Sequence, residues 1–316
     1  MAHIGEGRLE AAETVLKAAG FTMSRPCISR PSCFDFAVRR EGNLILVKIL
    51  PDIGNLTLID SQELGEISGC FSAASMIIGQ EARERPLEDD TIYRRYNISA
   101  VNLKTFENVV LHNVRPLIQA NPGGYYVEID GGAIRQRRQD LGLSVGEVAD
   151  MVGISRRTIY GYERGLAKAS VPAAYKLVWA LGIPVAKSMD IFQTRIPQRQ
   201  NRFLRTAKRA FARSRLLNKI FKKLTLLQIT TVKKAPFDFV MQVSEPRMQI
   251  VGGVADAEEL ELSTRIDEIL SVSKVIGARP ILISEGPAPY ERNIPYIRCE
   301  DFSRIKNKED LILSVR

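Results

Sequence analysis

The sequence predicts an α+β chain of several domains, in which a central all-α bundle is flanked by two related small α/β domains. Three observations predict it. Helical periodicity runs without a strand pattern from Gly131 to Phe192, one order of helices and strands recurs on either side, and 316 residues make about two units at roughly 150 residues each, or three small ones. With 45% hydrophobic and 26% charged residues, the chain has ample core and is not a disordered one. The expected divisions are an N-terminal α/β domain over 1–125, the bundle over 126–193, a basic linker over 194–215 and a C-terminal α/β repeat over 216–316.

Leu9 to Ala19 carries apolar residues at helical spacing and stops at Gly20. Phe34-Asp35-Phe36-Ala37-Val38, a Glu41-Gly42-Asn43 turn and Leu44 to Leu50 have the β-branched and aromatic content of a hairpin. A helix is expected at about Asp60 to Ser75, then strands at Met76-Ile77-Ile78 and Ile98 to Val101. The last third repeats this order: a helix at Leu216 to Lys223, strands at Phe237 to Met241 and Arg247 to Val251, a helix at Ser263 to Val272 and a strand at Pro280 to Ile283. Phe34-Asp35-Phe36 pairs with Phe237-Asp238-Phe239, Glu66-Ile67 with Glu268-Ile269, and Val101 through Phe106 with Ile297 through Phe302. Either two generic α/β patterns coincide or the chain holds an old internal duplication; the local matches favour duplication.

Between the copies, Ile134, Leu141, Val148, Ala149, Val152, Ile154, Ile159, Tyr162, Leu177, Leu181 and Ile183 converge on one helical core. Ser144 with Glu147 three residues on is a capping box that opens a helix. Gly153 supplies the left-handed backbone of a tight interhelical turn. Ser155 caps the short helix Arg156 to Glu163, closed by Gly165, and Pro172 lies in the first turn of a helix that runs to about Leu181.

Helix, glycine turn and helix at this spacing resemble the Cro/C1-type helix-turn-helix, the XRE family. The resemblance is carried by Leu141-Gly142-Leu143-Ser144, Glu147-Val148-Ala149, Val152-Gly153-Ile154-Ser155, Thr158-Ile159, Tyr162-Glu163 and Gly165. It implies that the helix from Ser155 to Glu163 enters the major groove of double-stranded DNA with its first side chains at base edges. Arg156 and Arg157 stand at those positions, and an Arg fork can bond guanine O6 and N7 together. Tyr160 either meets a sugar or thymine methyl or packs on neighbouring helices. Ser144 and Ser155 cap their helices and also stand where the family grips phosphate, two roles that can coexist. Arg164 and Arg135 are further phosphate candidates. Arg138 and Glu163 match a structural ion pair of the family.

The flanking copies resemble the core of PD-(D/E)XK nucleases, of restriction-endonuclease type, in which an Asp and an acid-x-Lys hold a divalent metal. Asp35 can be the first acid and Lys48 the lysine, but Leu46 stands where the second acid belongs, so the carboxylate pair is broken. In the second copy Asp238 remains while Ile250-Val251-Gly252 keeps neither acid nor lysine. The resemblance therefore implies degenerate scaffolds. The whole arrangement resembles archaeal HTH-type transcriptional regulators.

Charge agrees with a polyanionic partner. The net charge is +9, and from Arg195 to Lys223 eleven cations occur without one acid, which leaves the rest slightly acidic. That segment is either a solvated linker helix or a strip along a nucleic-acid backbone. Four cysteines, Cys27, Cys33, Cys70 and Cys299, show neither a disulfide framework nor a zinc pair, and His3 and His112 are too few for a triad or a histidine cage. No membrane span, secretory segment or glycine-rich phosphate loop is evident. The expectation is a reduced, cytoplasmic, sequence-specific DNA-binding transcriptional regulator, a homodimer reading two half-sites, with no cofactor, no metal and no enzymatic activity. Two alternatives stay open: a DNA-targeted nuclease using Asp35, Lys48 and a migrated acid from Glu41, Glu63 or Glu66, and an antitoxin-like autoregulator whose α/β parts hold a protein partner.

Overall fold

The structure, a computed structural model of the chain, describes residues 2–192, 220, 222, 229–243, 248–256, 259–286, 294–305 and 310. In chain order the elements are α1 (Ala2–Ala18), β1 (Thr22–Met23), β2 (Phe36–Arg40), β3 (Asn43–Ile49), α2 (Leu58–Phe71), β4 (Ala74–Gly79), β5 (Glu81–Ala82), β6 (Arg85–Pro86), β7 (Thr91–Arg95), β8 (Ile98–Asn102) and α3 (Leu103–His112). There follow β9 (Ile118–Asn121), β10 (Gly124–Val127), α4 (Gly131–Asp140), α5 (Val145–Val152), α6 (Arg156–Glu163), β11 (Ala169–Ser170) and α7 (Val171–Leu181). The last are β12 (Thr230–Thr231), β13 (Phe239–Val243), β14 (Met248–Ala255), α8 (Leu262–Ile276), β15 (Arg279–Ser284), β16 (Tyr296–Arg298) and α9 (Cys299–Arg304). The helix expected at Leu216 to Lys223 and the basic linker lie outside the described residues, apart from Ile220 and Lys222.

Two compact units form, each discontinuous in sequence: the described parts of 1–49, 56–76 and 194–316, and the described parts of 50–55 and 77–193. In the first, β1, β2 and β3 pair antiparallel beside α1 and α2. A second sheet runs β12-β13-β14-β15-β16, antiparallel to β14 and parallel beyond it, with α8 crossing from β14 to β15. α8 buries Ile266, Ile269, Val272 and Ile276 at helical spacing and ends at Gly277, φ +73°.

The two copies match at atomic register. Asp35 donates its N–H to the Val47 carbonyl and accepts the Ile49 N–H on its carboxylate (2.8 and 2.6 Å); Asp238 does the same with Gly252 and Val254 (2.7 and 2.6 Å). This makes Val251 the counterpart of Leu46 and Gly253 the counterpart of Lys48. The sequence alignment of Ile250-Val251-Gly252 with the lysine strand is therefore one residue out. At Gly252 a β-carbon would stand 1.9 Å from the Phe239 ring, so this position admits only glycine where the first copy has Val47. With Gly253 in place of the lysine, the cation comes from α8, where Arg265 pairs with Asp238.

The copies also pack on each other in reciprocal fashion. Glu63 of α2 accepts the N–H of Lys233 (2.6 Å), just ahead of the second Phe-Asp-Phe. Glu268 of α8 accepts the N–H groups of Ile28 and Ser29 (2.8 Å each) and the Ser29 hydroxyl (2.6 Å), just ahead of the first. Phe34 meets Phe237, its own counterpart, at 6.4 Å between ring centroids. Arg30 reaches Asp238 (2.8 Å) and Lys234 reaches Asp60. Such mutual contacts are those of a two-fold interface, here closed within one chain.

In the second unit β7 pairs with β8 and, in parallel, with β9, which continues through β10 to β11. α3, β7, β9 and β10 were not anticipated from the sequence. α3 had a legible signal, since Asn102 caps it by accepting the Thr105 N–H. β9 and β10 are half-buried, and Tyr125 faces outward, which leaves no clean alternation to read. β10 and β11 bring Val127 and Ala169 into the core of the α4–α7 bundle.

Candidate nucleic-acid interface

The bundle is built as its sequence dictates. Val148, Ala149 and Val152 of α5, Ile159 and Tyr162 of α6, Ile134 of α4 and Leu177 and Leu181 of α7 form one buried core, with Ile154 and Ile183 packed at its edge. Leu141 departs from expectation: it is 41% exposed. It caps α4 one residue past the last helical turn, just before the left-handed Gly142, so helical periodicity no longer sets its direction. Gly131 opens α4 against the end of α6, where a β-carbon would stand 2.2 Å from the Tyr162 carbonyl oxygen. Only glycine allows that approach.

Ser144 and Glu147 form the reciprocal capping box: Ser144 Oγ accepts the Glu147 N–H at 3.1 Å, and the Glu147 carboxylate accepts the Ser144 N–H at 2.7 Å. Hydrogen bonding from the Ser144 N–H and then from its side chain holds the Glu147 carboxyl below its ordinary range. Gly153, φ +73°, ends α5, and Ser155 starts α6 by accepting the Thr158 N–H at 3.1 Å. Three residues therefore turn the chain from one helix into the next. The expected ion pair is bidentate: Arg138 Nε and Nη2 meet Glu163 Oε1 and Oε2 at 2.5 and 3.1 Å, and Nη1 donates to the Leu143 carbonyl at 2.9 Å. With side chains only 13% and 6% exposed, this pair ties α4 to α6 inside the fold.

What α6 turns outward is Ser155, Arg156, Arg157 and Tyr160, while Ile159 and Tyr162 anchor it. Arg164 caps its end and lays its guanidinium 4.7 Å from the centroid of the Tyr160 ring, which is half-exposed. Ser144 and Arg135 are exposed on α5's cap and on α4. Arg156 is not extended freely: its guanidinium lies against Gly146 in the first turn of α5. The whole candidate set thus lies on the bundle's surface.

The acidic positions of the two copies are differently filled. Lys48 Nζ sits 2.9 Å from Asp35 Oδ1 and also donates to the Ser32 carbonyl. Burial raises the Asp35 carboxyl above its ordinary range, opposed by Lys48. Leu46 is buried, Glu41 lies in the exposed hairpin turn, Glu66 is exposed, and Glu63 is committed to Lys233. Burial would raise Asp238 too, but Arg265 and Arg30 outweigh it and hold that carboxyl low. Among the described residues no three His, Cys, Asp or Glu side chains are placed to share a metal ion. None of the four cysteines is in a disulfide. No helix among the described residues is long and apolar enough to cross a membrane.

Comparison with known proteins gives two domain matches and a set of full-length relatives. A helix-turn-helix family model matches residues 134–187, and a PD-(D/E)XK superfamily domain matches residues 6–116. A Methanocella arvoryzae protein named "Putative HTH-type transcriptional regulatory protein" is 33% identical over 317 residues, covering 97% of this chain and 94% of that one. A Methanocaldococcus jannaschii protein of the same description is 30% identical over 307 residues, covering 96% and 93%. Among solved structures, the restriction-modification controller protein C.AhdI from Aeromonas hydrophila is 36% identical over 17% of this chain and 80% of that chain, with a TM-score of 0.16.

Proposed function

Because the chain belongs to the family of archaeal HTH-type transcriptional regulatory proteins, we propose that it regulates transcription by reading a DNA operator through α6 in the major groove. One observation carries this reading. α6 is anchored from within by Ile159, Tyr162 and the Arg138–Glu163 bridge, and turns Arg156, Arg157 and Tyr160 to solvent from its first turns. A rigid helix with guanidinium groups at its start suits the donor and acceptor pattern of guanine edges. Ser144, Ser155, Arg164 and Arg135 surround it as phosphate contacts, which set register without sequence information. Two chains read two half-sites about 34 Å apart, since one such module binds weakly.

Selection of bound duplexes from random DNA tests this. A recurrent motif with half-site symmetry is expected; retention of DNA without sequence preference would overturn specific regulation.

The match to the PD-(D/E)XK superfamily over 6–116 favours weighing nuclease activity as a second reading. Against it stand Leu46 at the second acid's position and Asp35 already paired with Lys48. The expected outcome is that supercoiled plasmid stays intact with magnesium or manganese. Cleavage abolished by Asp35→Asn would reverse this conclusion.

A further inference from the structure

The loop between α6 and β11 carries a cation that is held in place. Gly165, φ +66°, turns the chain out of α6, and Leu166 returns its N–H to the Gly161 carbonyl (2.9 Å), so few residues separate the reading helix from Lys168. Lys168 is exposed, yet its Nζ donates to Oε1 of Gln119 on β9 at 2.5 Å. Gln119 is only 5% exposed, and its Nε2 donates to Asn121 Oδ1 at 2.9 Å, which fixes the end of the amide that faces the lysine. Among the described residues no carboxylate stands within ion-pair distance of Lys168.

Strand alternation sets the direction of this contact. Gln119, Tyr126 and Ser170 are register partners across β9, β10 and β11, and so share one face of the sheet. Val127 and Ala169 take the opposite face and enter the bundle core. Lys168, next to Ala169, therefore projects away from that core, on the same connection as Arg164. A neutral amide leaves the charge of the lysine it holds uncancelled, where a carboxylate would neutralise it. Holding a lysine that meets only water loses rotamer freedom for little return. It helps when the ammonium must meet an anion, because the ordering is complete before the anion arrives.

We propose that Lys168 is a phosphate contact of the DNA-bound head and that Gln119 is its positioning residue. The inference rests on the DNA-reading function above and extends the interface beyond the helical module. Gln119 and Asn121 lie outside the helix-turn-helix match at 134–187, on a strand that pairs with β7. The sheet is thus part of the reading head. With α6 in the groove, the loop that leaves it comes to the groove's wall, where phosphate oxygens are the anions within reach. A lysine offers them a point charge without base preference, so the contact sets affinity and register and not sequence.

The test titrates the full chain with the selected operator and with a scrambled duplex over a series of salt concentrations, with thermal unfolding alongside. Lys168→Gln should reduce the slope of log affinity against log salt by about 0.9 on both duplexes. Gln119→Met, close in length and shape, frees the lysine and keeps its charge, so affinity should fall about 2- to 10-fold with the slope unchanged. In a Lys168→Gln background the same change should have no further effect. Asn121→Ala frees the amide but leaves the buried side chain in place. It should show a smaller loss with the same dependence on Lys168, and it decides the outcome if Gln119→Met lowers the thermal transition. An unchanged slope in Lys168→Gln would remove the phosphate contact. Full affinity in both Gln119→Met and Asn121→Ala, or a loss that persists without Lys168, would overturn the positioning role. Failure of the unaltered chain to bind either duplex would sink the DNA-reading function itself, and this contact with it.

Discussion

The guanidinium of Arg156 rests on the backbone of Gly146, so closely that a β-carbon at 146 would stand 2.9 Å from its Nε and 3.0 Å from its Cζ. The helix before the turn thus sets the reach of the first side chain of α6. In the reading proposed above, a small residue at 146 is part of how α6 addresses DNA.

Gly146→Ala should push the Arg156 guanidinium aside while stabilising α5 by about 0.5–1 kcal/mol. DNA selectivity should then change in a protein that is no less folded. Competition with single-base operator variants should show Gly146→Ala and Arg156→Ala disturbing the same positions, with no added effect when combined. Arg157→Ala should relax a different position by about 1–3 kcal/mol. Specificity that survives loss of both arginines would remove α6 as the reader.

Arg138→Ala should act through folding. It strands Glu163, whose side chain is 6% exposed, and leaves the Leu143 carbonyl without its donor. A loss of about 3 kcal/mol in urea unfolding is expected. DNA affinity should fall only in proportion to the unfolded fraction, which calorimetry alongside binding can separate.

Asp238 makes the first unit sensitive to acid. Its carboxyl is held below the ordinary value by Arg265 and Arg30, so its contribution is complete above about pH 3.9. It is lost as pH falls through the lowered folded value. Asp238→Asn should lower the urea midpoint at pH 7 and flatten its fall between pH 4 and 2. Arg265→Met should cost about 3–5 kcal/mol at pH 7, because it leaves a buried carboxylate with one cation fewer.

The cations from Arg195 to Lys223 should govern salt dependence more than sequence preference. Each phosphate contact removed by a Lys or Arg to Gln change should reduce the slope of log affinity against log salt by about 0.9. The ranking of operator variants should stay as it was. A changed ranking would make this segment a reader of bases.

The helical module was legible in the chain because its signals are local. The capping box Ser144–Glu147, the turn at Gly153, the cap at Ser155 and the 3.6-residue spacing of Val148, Val152, Ile159 and Tyr162 act within a few residues of one another. The Arg138–Glu163 bridge also came from the sequence, through the family it resembles, and the duplication was readable from Phe34-Asp35-Phe36 and Phe237-Asp238-Phe239. What tertiary structure alone decided depends on groups far apart along the chain. The true equivalence of Gly253 with Lys48 shows only in the strand pairing and the Asp hydrogen bonds, and the transfer of the cation from a strand lysine to Arg265 follows from α8 packing beside Gly253. The reciprocal seating of Glu63 and Glu268, the resting place of Arg156 on Gly146 and the hold of Gln119 on Lys168 belong to the same class. Periodicity and caps are set by neighbours in sequence, whereas side-chain partners across an interface are set by which surfaces the folded elements bring together.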